Sequence, residues 1–249
     1  MNILSVSTAV RLTVSGFQVI NVGNVPVAAL TFDEALELIC SPTSLGRSVH
    51  FVNANSVVDA DEKSDYANVL RGAWLNLPDG TPVAWSMRRQ SSSDQRRVPG
   101  PDIFAEMLDG KREGIRHFLI GSTEDALARI QSRAGECVVG FISPPRLAHH
   151  EFNVQEFAVA VTESQATHVW IGLGSPKQDF VAVRLAEACS ATVLAVGAAF
   201  DFSAGTQKRA PIHLQRAGLE WLYRLLAEPR RLWKRYLVGN VKFLLIARK

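Results

Sequence analysis

A single aspartate at the end of a short apolar segment is the first candidate for chemistry in this chain. Asp79 lies between Pro78 and Gly80, just after the segment Trp74–Leu77. A carboxylate placed directly after a strand could remove a proton from a hydroxyl group as a general base. Aspartate before glycine is also typical of a plain turn, and the spacing alone favours that interpretation.

Two asparagines form a second candidate site. Asn53 and Asn55 follow the β-branched and apolar segment Val49–Val52, which predicts a strand. Asparagine side chains both donate and accept hydrogen bonds, which suits a sugar or another polar ligand. The same residues could instead form Asx turns with a helix N-cap at Asn55 or Ser56, and the sequence leaves the two interpretations open.

A glycine-containing turn at residues 172–178 joins a predicted strand to a predicted helix. Gly172 and Gly174 allow a ligand to approach the backbone, a helix N-terminus favours phosphate, and Lys177 adds positive charge. The turn matches neither the dinucleotide-binding pattern GxGxxG nor the phosphate-binding loop of nucleoside triphosphatases. By itself it is therefore only a weak indication of a phosphate site.

Arg97, Asp102 and Asp201 are further polar residues with a candidate role. Arg97 lies in a basic loop before a predicted helix, where it could bind phosphate and pair with Asp102. A solvated turn with a local ion pair explains the same residues. Asp201 follows a run of small residues, and it could either bind a ligand or anchor a turn.

The sequence predicts no metal site. His149 and His150 have no acidic or cysteine neighbour at ligand spacing, and Cys40, Cys137 and Cys189 are widely separated. We expect the cysteines to be buried free thiols in a reducing cytosol and the histidine pair to be solvated.

The elements that must position these residues alternate between strands and helices. Short apolar segments are separated by helical segments, which predicts βαβ units and a mainly parallel α/β sheet. In such a sheet the ligand binds beyond the carboxyl ends of the strands, where Asn53, Asn55, Asp79 and the 174–178 turn fall. The predicted strands cover residues 17–22, 25–27, 49–52, 74–77, 117–120, 137–143, 169–173 and 192–196. Three helices have predicted N-caps, which are Thr31 in a capping box with Glu34, Ser122 and Ser175.

The formal net charge of +3 conceals a division of the chain. From Gln207 onwards eleven Lys and Arg face two Glu, a net charge of +9, whereas residues 1–206 carry −6. An acidic body with a basic end indicates a polyanionic partner, a phosphate-bearing ligand or an anionic membrane. We therefore predict a poorly structured leader at 1–16, a core at 17–206 and a basic amphipathic appendage at 207–249.

Apolar and basic residues in this appendage recur at close to helical spacing. Leu222, Leu225 and Leu226 are accompanied by arginines, as in segments that lie on an anionic membrane surface. The same pattern suits an amphipathic helix packed on the core with a solvated basic face. Nucleic-acid binding is a weaker interpretation, because the body is acidic and no nucleic-acid motif is present. Without a run of 18 apolar residues or a secretory signal, we expect no spanning helix.

Taken in order, several motifs resemble those of the WecG/TagA/CpsF glycosyltransferases, glycosyltransferase family 26. They lie at Leu77–Gly80, Arg97–Asp102, Gly172–Asp179, Val196–Gly205, Arg209–Pro211, Gly218–Leu225 and Glu228–Leu232. The resemblance covers about residues 17–236, and its later motifs are long and specific. It implies a Rossmann-like, mainly parallel sheet flanked by helices, with a helical C-terminal appendage.

The resemblance implies an inverting glycosyltransferase that needs neither a metal ion nor a cofactor. A sugar passes from a nucleotide-sugar, usually a UDP-sugar, to a saccharide on a polyprenyl diphosphate. The products feed teichoic acid, capsule, exopolysaccharide or enterobacterial common antigen synthesis, and the sugar stays open between N-acetylmannosamine, its uronic acid, glucose and glucuronic acid. We expect a cytoplasmic protein held at the inner face of the cell membrane by the appendage, with a homo-oligomer as an option and no nucleic-acid partner.

The resemblance also implies roles for individual residues. Asp79 corresponds to the general base, Asn55 to an acceptor-site residue, and Asn53 stands where the family has threonine. Gln178 corresponds to a residue near the donor, and Asp179 replaces the family's glutamate. Together with the candidates taken from the residues themselves, the predicted substrate-binding set is Asn53, Asn55, Arg97, Asp102, Gly174, Lys177, Gln178 and Asp201. The resemblance implies that the diphosphate is held by Arg224, Arg230, Arg231 and Arg235.

Two other classes of function compete with this one. A nucleotide-binding oxidoreductase would share the fold class, but the missing GxGxxG and its distal acidic residue argue against dinucleotide binding. A non-catalytic adaptor for a membrane or a nucleic acid would use the basic appendage without transferring a sugar. Turnover of a nucleotide-sugar separates a transferase from both.

Overall fold

The computed structural model describes residues 16–91, 94–110 and 112–248, apart from the side chains of Arg216, Arg231, Lys234 and Arg235. The predicted leader at 1–16 lies outside the described residues, except for Gly16. Most of the predicted core and of the predicted appendage is described.

A parallel sheet forms the centre of the protein. β1 Val19–Val22 and β2 Val25–Ala28 first form a separate antiparallel hairpin. The central strands are β3 Ser48–Val52, β4 Leu75–Pro78, β5 His117–Gly121, β6 Val138–Ile142, β7 His168–Gly172 and β8 Thr192–Ala195. These six strands lie in the order β4-β3-β8-β7-β5-β6, and every adjacent pair is parallel. The predicted parallel α/β sheet is thus confirmed.

Helices connect the strands and flank the sheet. In the core they are α1 Phe32–Cys40, α2 Ala54–Glu62, α3 Ser64–Gly72, α4 Thr81–Gln90, α5 Gly100–Asp109, α6 Glu124–Ala134, α7 Val154–Glu163, α8 Lys177–Ala188 and α9 Ala199–Ser203. In the appendage they are α10 Ile212–Arg216, α11 Glu220–Ala227, α12 Pro229–Trp233 and α13 Gly239–Ile246, with a π-helical turn at Lys234–Val238. Among the described residues, none of the helices is long and apolar enough to cross a membrane.

Capping side chains determine where several helices begin. Thr31 caps α1 and forms the predicted capping box with Glu34. The predicted cap of α6, Ser122, is wrong by one residue. Thr123 has the extended backbone that a cap requires and accepts a hydrogen bond from the N–H of Ala126, whereas Ser122 has a φ of 57°.

Apolar packing on both faces of the sheet holds the site edge in place. Every residue of β3, β4, β5 and β8 is buried, as expected for parallel strands covered by helices. On one face, Phe104 of α5 packs edge-on against Trp170 of β7 and also contacts Phe200 of α9. The loops that follow these strands therefore start from fixed points.

The end of the chain packs back onto the core. Phe243 and Ile246 of α13 are buried in the same apolar cluster as Val57 of α2 and the β1–β2 hairpin. Lys242 of α13 also forms an ion pair with Glu62 of α2. The appendage is therefore anchored at its far end, and it closes over the carboxyl edge of the sheet rather than projecting from the core.

Candidate active site

A cavity of about 690 Å³ lies at the carboxyl ends of the parallel strands. Residues that follow the strands line it from the core, among them Asn53, Asp79, Ser122 and Gly197. This is the edge at which open parallel sheets bind their ligands, and the volume is typical of small-molecule sites. The appendage lines the opposite wall of the same cavity with Gly218, Glu220, Trp221, Arg224, Tyr236 and Asn240.

Backbone hydrogen bonds fix Asp79 at this edge. Its N–H donates to the carbonyl of Val52 over 2.8 Å, and the N–H of Val98 donates to the carbonyl of Pro78 over 2.7 Å. Gly80 has a φ of 136°, a conformation that favours glycine. The Pro-Asp-Gly segment is therefore the turn that its spacing indicates, and it also places a carboxyl group on the cavity wall.

The surroundings of Asp79 raise its pKa to about 7, mainly because burial disfavours the charged carboxylate. Repulsion from Glu220 and Asp102 raises the pKa further. The positive charges of Arg97 and Arg209 act in the opposite direction. A carboxyl group with a pKa near 7 is well suited to exchange a proton with a substrate at neutral pH.

Four charged side chains join the core to the appendage near Asp79. Arg97 pairs with Glu220 at 3.0 Å and also donates to the backbone carbonyl of Gln215. Arg209 pairs with Glu220 at 3.3 Å and with Asp102. The predicted pairing of Arg97 with Asp102 is therefore wrong, because the appendage supplies a different partner to each of them.

Asn53 and Asn55 both line the cavity, but their local roles differ from the prediction. Asn53, rather than Asn55 or Ser56, is the N-cap of α2, because it has the extended backbone that a cap requires. Its Oδ1 accepts hydrogen bonds from the N–H groups of Asn55 at 3.0 Å and Ser56 at 3.3 Å. Asn55 faces Gly239 of α13, so closely that a Cβ there would lie 2.5 Å from the Asn55 Oδ1.

The turn after β7 brings Gly174, Lys177 and Gln178 to the cavity. Lys177 donates from Nζ to the carbonyl of Leu147 over 3.3 Å, in the loop after β6. Gln178 is only 6% exposed, and its Oε1 is buried without a hydrogen-bond partner among the described residues. This buried amide oxygen is therefore an unsatisfied acceptor in a residue that lines the cavity.

A buried polar network holds this turn from behind. Ser175 does not cap α8 as predicted, because Pro176 occupies the cap position and the Ser175 hydroxyl donates to Asp179 over 3.2 Å. Tyr66 donates to the same carboxylate over 3.0 Å, and Nδ1 of His50 lies 2.9 Å from its other oxygen. Burial and the Asp179 charge both raise the pKa of Tyr66, which keeps it a donor. The network connects the turn to β3 and α3.

Asp201 and Phe202 of α9 line the part of the cavity near the appendage. The backbone carbonyl of Asp201 also accepts the N–H of Thr206, so this residue both faces the cavity and anchors the following turn. The guanidinium groups of Arg209 and Arg224 lie 5.9 Å and 5.7 Å from the centre of the Phe202 ring. Two arginine cations thus lie beside the same aromatic ring on the cavity wall.

The predicted diphosphate arginines differ in position. Arg224 lines the cavity. Arg230 is exposed and does not belong to the lining. The side chains of Arg231 and Arg235 lie outside the described residues, so their roles stay predictions.

Sequence reasoning did not assign Arg209, Phe202, Glu220, Trp221 or Tyr236, all of which line the cavity. One signal for Glu220 is present in the chain, since it is one of only two acidic residues after Gln207. An isolated acid among many arginines indicates a specific ion pair. Arg209 lies in the family-like motif Arg209–Pro211, but a motif of three residues does not indicate which partner the arginine has.

The histidine pair and the cysteines add no metal centre. His150 is exposed, as predicted, whereas His149 is partly buried and stacks on Phe180 with 4.0 Å between ring centres, so the prediction of a solvated pair is correct only for His150. Cys40, Cys137 and Cys189 are free thiols, as predicted, but they are only partly buried rather than fully buried. Within the described parts of the chain, no group of three or more His, Cys, Asp or Glu is placed to hold a metal ion.

Comparison with known families places this cavity in context. The model of the glycosyl transferase WecG/TagA/CpsF family matches residues 20–249. The match includes the hairpin from its second residue, the sheet and the whole appendage, and so it covers both walls of the cavity. It confirms the family that the motifs indicate and extends the resemblance to the last residue. The chain belongs to the WecG/TagA/CpsF glycosyltransferase family.

Proposed function

We propose that this protein transfers a sugar, with inversion, from a UDP-sugar to a saccharide carried on a polyprenyl diphosphate. Family membership makes it a glycosyltransferase of cell-surface polysaccharide synthesis, with a sugar donor and a sugar acceptor. One observation carries the finer proposal. Asp79 has a pKa of about 7 on the wall of a cavity that arginines also line.

Asp79 acts as the general base in this proposal. It accepts the proton of the acceptor hydroxyl while that oxygen forms a bond to the anomeric carbon of the donor sugar. The bond from the anomeric carbon to the diphosphate oxygen breaks on the opposite face, so the configuration inverts. The electron pair of the broken bond leaves with the nucleoside diphosphate.

Arginine side chains stabilise the leaving group. Arg97, Arg209 and Arg224 line the cavity, and guanidinium groups bind phosphate oxygens through charge-assisted hydrogen bonds. Positive charge that is already in place neutralises the charge that develops on the diphosphate as the bond breaks. This arrangement supports a reaction in which arginines take the part that Mg²⁺ plays in other transferases.

Asparagine and glutamine side chains supply the polar contacts that a sugar requires. Asn53 packs beside Gly80, next to the proposed base, which supports an acceptor position for Asn53 and Asn55. Gln178 offers its unpartnered Oε1 from the turn after β7, which supports a donor position. We therefore place the acceptor on the β3–β4 side of the cavity and the donor on the β7–β8 side.

Exposed apolar residues of the appendage support attachment to the inner face of the cell membrane. Leu226, Leu237, Val241 and Leu245 are each more than half exposed. The exposed basic residues Arg230, Lys242 and Arg248 lie in the same segment. Because the polyprenyl chain of the acceptor stays in the bilayer, an enzyme that uses it must work at the lipid surface.

A donor screen tests the proposal. The full chain is incubated with a synthetic polyprenyl-diphosphate-linked saccharide and a panel of UDP-sugars, and products are identified by mass spectrometry. We expect one UDP-sugar to extend the acceptor by a single residue, equally well with and without EDTA. Asp79→Asn should fold normally and lower the rate by about 10²–10⁴. Near-normal transfer by Asp79→Asn would reject Asp79 as the base, and loss of transfer in EDTA would reject metal independence.

A further inference from the structure

One carboxylate forms ion pairs with two arginines on the wall of the active-site cavity. The Oε2 of Glu220 lies 3.0 Å from Nη1 of Arg97, and its Oε1 lies 3.3 Å from Nε of Arg209. All three residues line the cavity. The two oxygens of a single acid thus satisfy two cations that come from different parts of the chain, the loop before α5 and the start of the appendage.

Other groups hold the two arginines in place without Glu220. The second terminal nitrogen of Arg97 donates to the carbonyl of Gln215 over 3.0 Å. Arg209 pairs through Nη1 with Asp102, which does not belong to the cavity lining. Asp102 therefore holds Arg209 from behind the wall, while Glu220 binds it on the cavity side. When the charge of Glu220 is removed, each guanidinium group therefore keeps one other hydrogen-bond or ion-pair partner.

The three arginines of this wall outnumber the two acids that pair with them in these contacts. Arg97, Arg209 and Arg224 all line the cavity, Glu220 pairs with the first two, and Asp102 also pairs with Arg209. Nη2 of Arg209 is buried without a hydrogen-bond partner among the described residues. This nitrogen is therefore a donor that neither Glu220 nor Asp102 satisfies.

We propose that Glu220 is an internal anion that occupies an Arg97–Arg209 phosphate site and is displaced by the diphosphate of a substrate. A diphosphate offers more acceptor oxygens and more negative charge than one carboxylate, so it competes effectively for the same donors. Displacement frees the first turn of α11 from Arg97 and couples substrate binding to the position of the appendage. The identity of the ligand as a substrate diphosphate rests on the proposed function.

Calorimetric titration of the full chain with inorganic pyrophosphate tests the displacement. Glu220→Gln keeps the size of the side chain and removes its charge, so we expect it to bind pyrophosphate about tenfold more tightly, as one released charge-assisted hydrogen bond predicts. Arg209→Gln should bind at least tenfold more weakly. Glu62→Gln is the matched control, because Glu62 pairs with Lys242 of the appendage away from these arginines. Its affinity should stay within twofold of the wild type.

An unchanged or weaker affinity of Glu220→Gln for pyrophosphate overturns the proposal, because Glu220 would then be a strut that holds the arginines. Thermal unfolding of each variant is measured in parallel. If Glu220→Gln does not fold, Glu220→Asp serves instead, since its shorter side chain withdraws the carboxylate from the arginines. Tighter pyrophosphate binding by Glu220→Asp supports the proposal, and unchanged or weaker binding overturns it.

Two further ligands distinguish the source of the diphosphate. Parallel titrations use UDP, which represents the donor, and geranyl diphosphate, which represents the lipid-linked acceptor. Tighter binding of UDP by Glu220→Gln assigns the site to the donor, and tighter binding of geranyl diphosphate assigns it to the acceptor. These titrations measure binding and do not require sugar transfer. If the variants show the expected affinities but the protein transfers no sugar, the proposed function is rejected and this inference is not. Sugar transfer together with an unchanged affinity of Glu220→Gln rejects this inference alone.

Discussion

At the scale of single residues, the pKa of Asp79 predicts how transfer depends on pH. The carboxyl group has a pKa of about 7 and must be ionised to accept a proton. We therefore expect kcat/KM to rise about tenfold per pH unit below pH 7 and to become constant above it. Steady-state rates with a saccharide acceptor between pH 5 and 9 measure this profile.

Glu220 provides the internal check on that profile, because its negative charge raises the pKa of Asp79. In Glu220→Gln the midpoint of the profile should move to lower pH. A midpoint that stays near 7 in this variant would show that another group controls the profile, and Asp79 would lose its support as the base.

The raised pKa of Asp79 also predicts a stability cost. The unfolded carboxyl group titrates near its ordinary pKa of 3.8 and the folded one near 7, so the folded state loses stability as the pH rises through this interval. A shift of about three units corresponds to about 4 kcal/mol, and partial exposure of Asp79 to the cavity reduces this to about 1–2 kcal/mol. Asp79→Asn should therefore raise the free energy of unfolding by that amount at pH 8 and by little at pH 4. Urea unfolding at both pH values measures the difference, and equal effects at both would contradict the burial of a charge.

Sequence reasoning located the residues of the core wall better than those of the appendage wall. Asp79, Asn55 and Gln178 follow strands, and strand ends of a parallel sheet share one edge, so their convergence could be predicted. The pairing of Glu220 with Arg97 could not, because residues 123 positions apart in the chain meet only after the appendage closes. Whether Ser122 and Ser175 cap their helices depends on the local backbone conformation, which their residue types do not determine.

At the scale of elements, the contact between α13 and α2 predicts a selective effect on the acceptor. A Cβ on Gly239 would lie 2.5 Å from Oδ1 of Asn55, and the end of that side chain can move aside. Gly239→Ala should therefore change the free energy of unfolding by no more than about 1 kcal/mol, because better helix propensity offsets the closer contact. It should raise the KM for the acceptor severalfold and leave the KM for the donor unchanged.

Gly72→Ala at the end of α3 is the matched control, because nothing lies within 4 Å of its Cβ position. A double variant with Asn55→Ala tests the route of the effect. If Gly239→Ala acts through Asn55, the two changes are not additive in the KM for the acceptor. Additive changes would show that α13 affects transfer in some other way.

The presence of the strands and helices could be predicted from the sequence more completely than the residues at which they begin and end. Uninterrupted apolar segments such as His117–Gly121 fit strands buried on both faces, and helical segments between them required parallel pairing. The strand order could not be read from the chain, since β8 inserts between β3 and β7 through contacts distant in sequence. The same is true of α13, whose return to the hairpin depends on the burial of Phe243 and Ile246.

At the scale of the whole molecule, the structure shows that the cations of the basic appendage lie in two different places. Some cations of the basic appendage turn inward, since Arg209 and Arg224 line the cavity. Others, such as Arg230 and Arg248, stay exposed beside apolar side chains. Because α11 and α13 are both tied to the core, through Glu220 and Phe243, the segment between them is held over the same edge as the cavity. In the proposed function, a lipid-linked acceptor therefore reaches Asp79 without leaving the membrane surface to which we propose that the appendage binds.

This arrangement predicts that vesicle binding depends on exposed leucines of the appendage and on anionic lipid. Leu245 is 59% exposed on α13, and replacing it with glutamate should weaken binding to anionic vesicles at least tenfold, through lost apolar contact and added repulsion. Val159→Glu is the matched control, because Val159 is 49% exposed on α7, outside the appendage. Vesicle flotation measures binding, and raising the salt concentration should weaken that of the wild type. Transfer to a short, water-soluble acceptor should be unchanged in Leu245→Glu, since Leu245 does not line the cavity. Equal loss of vesicle binding in Leu245→Glu and Val159→Glu would show that the appendage is not the membrane-binding surface.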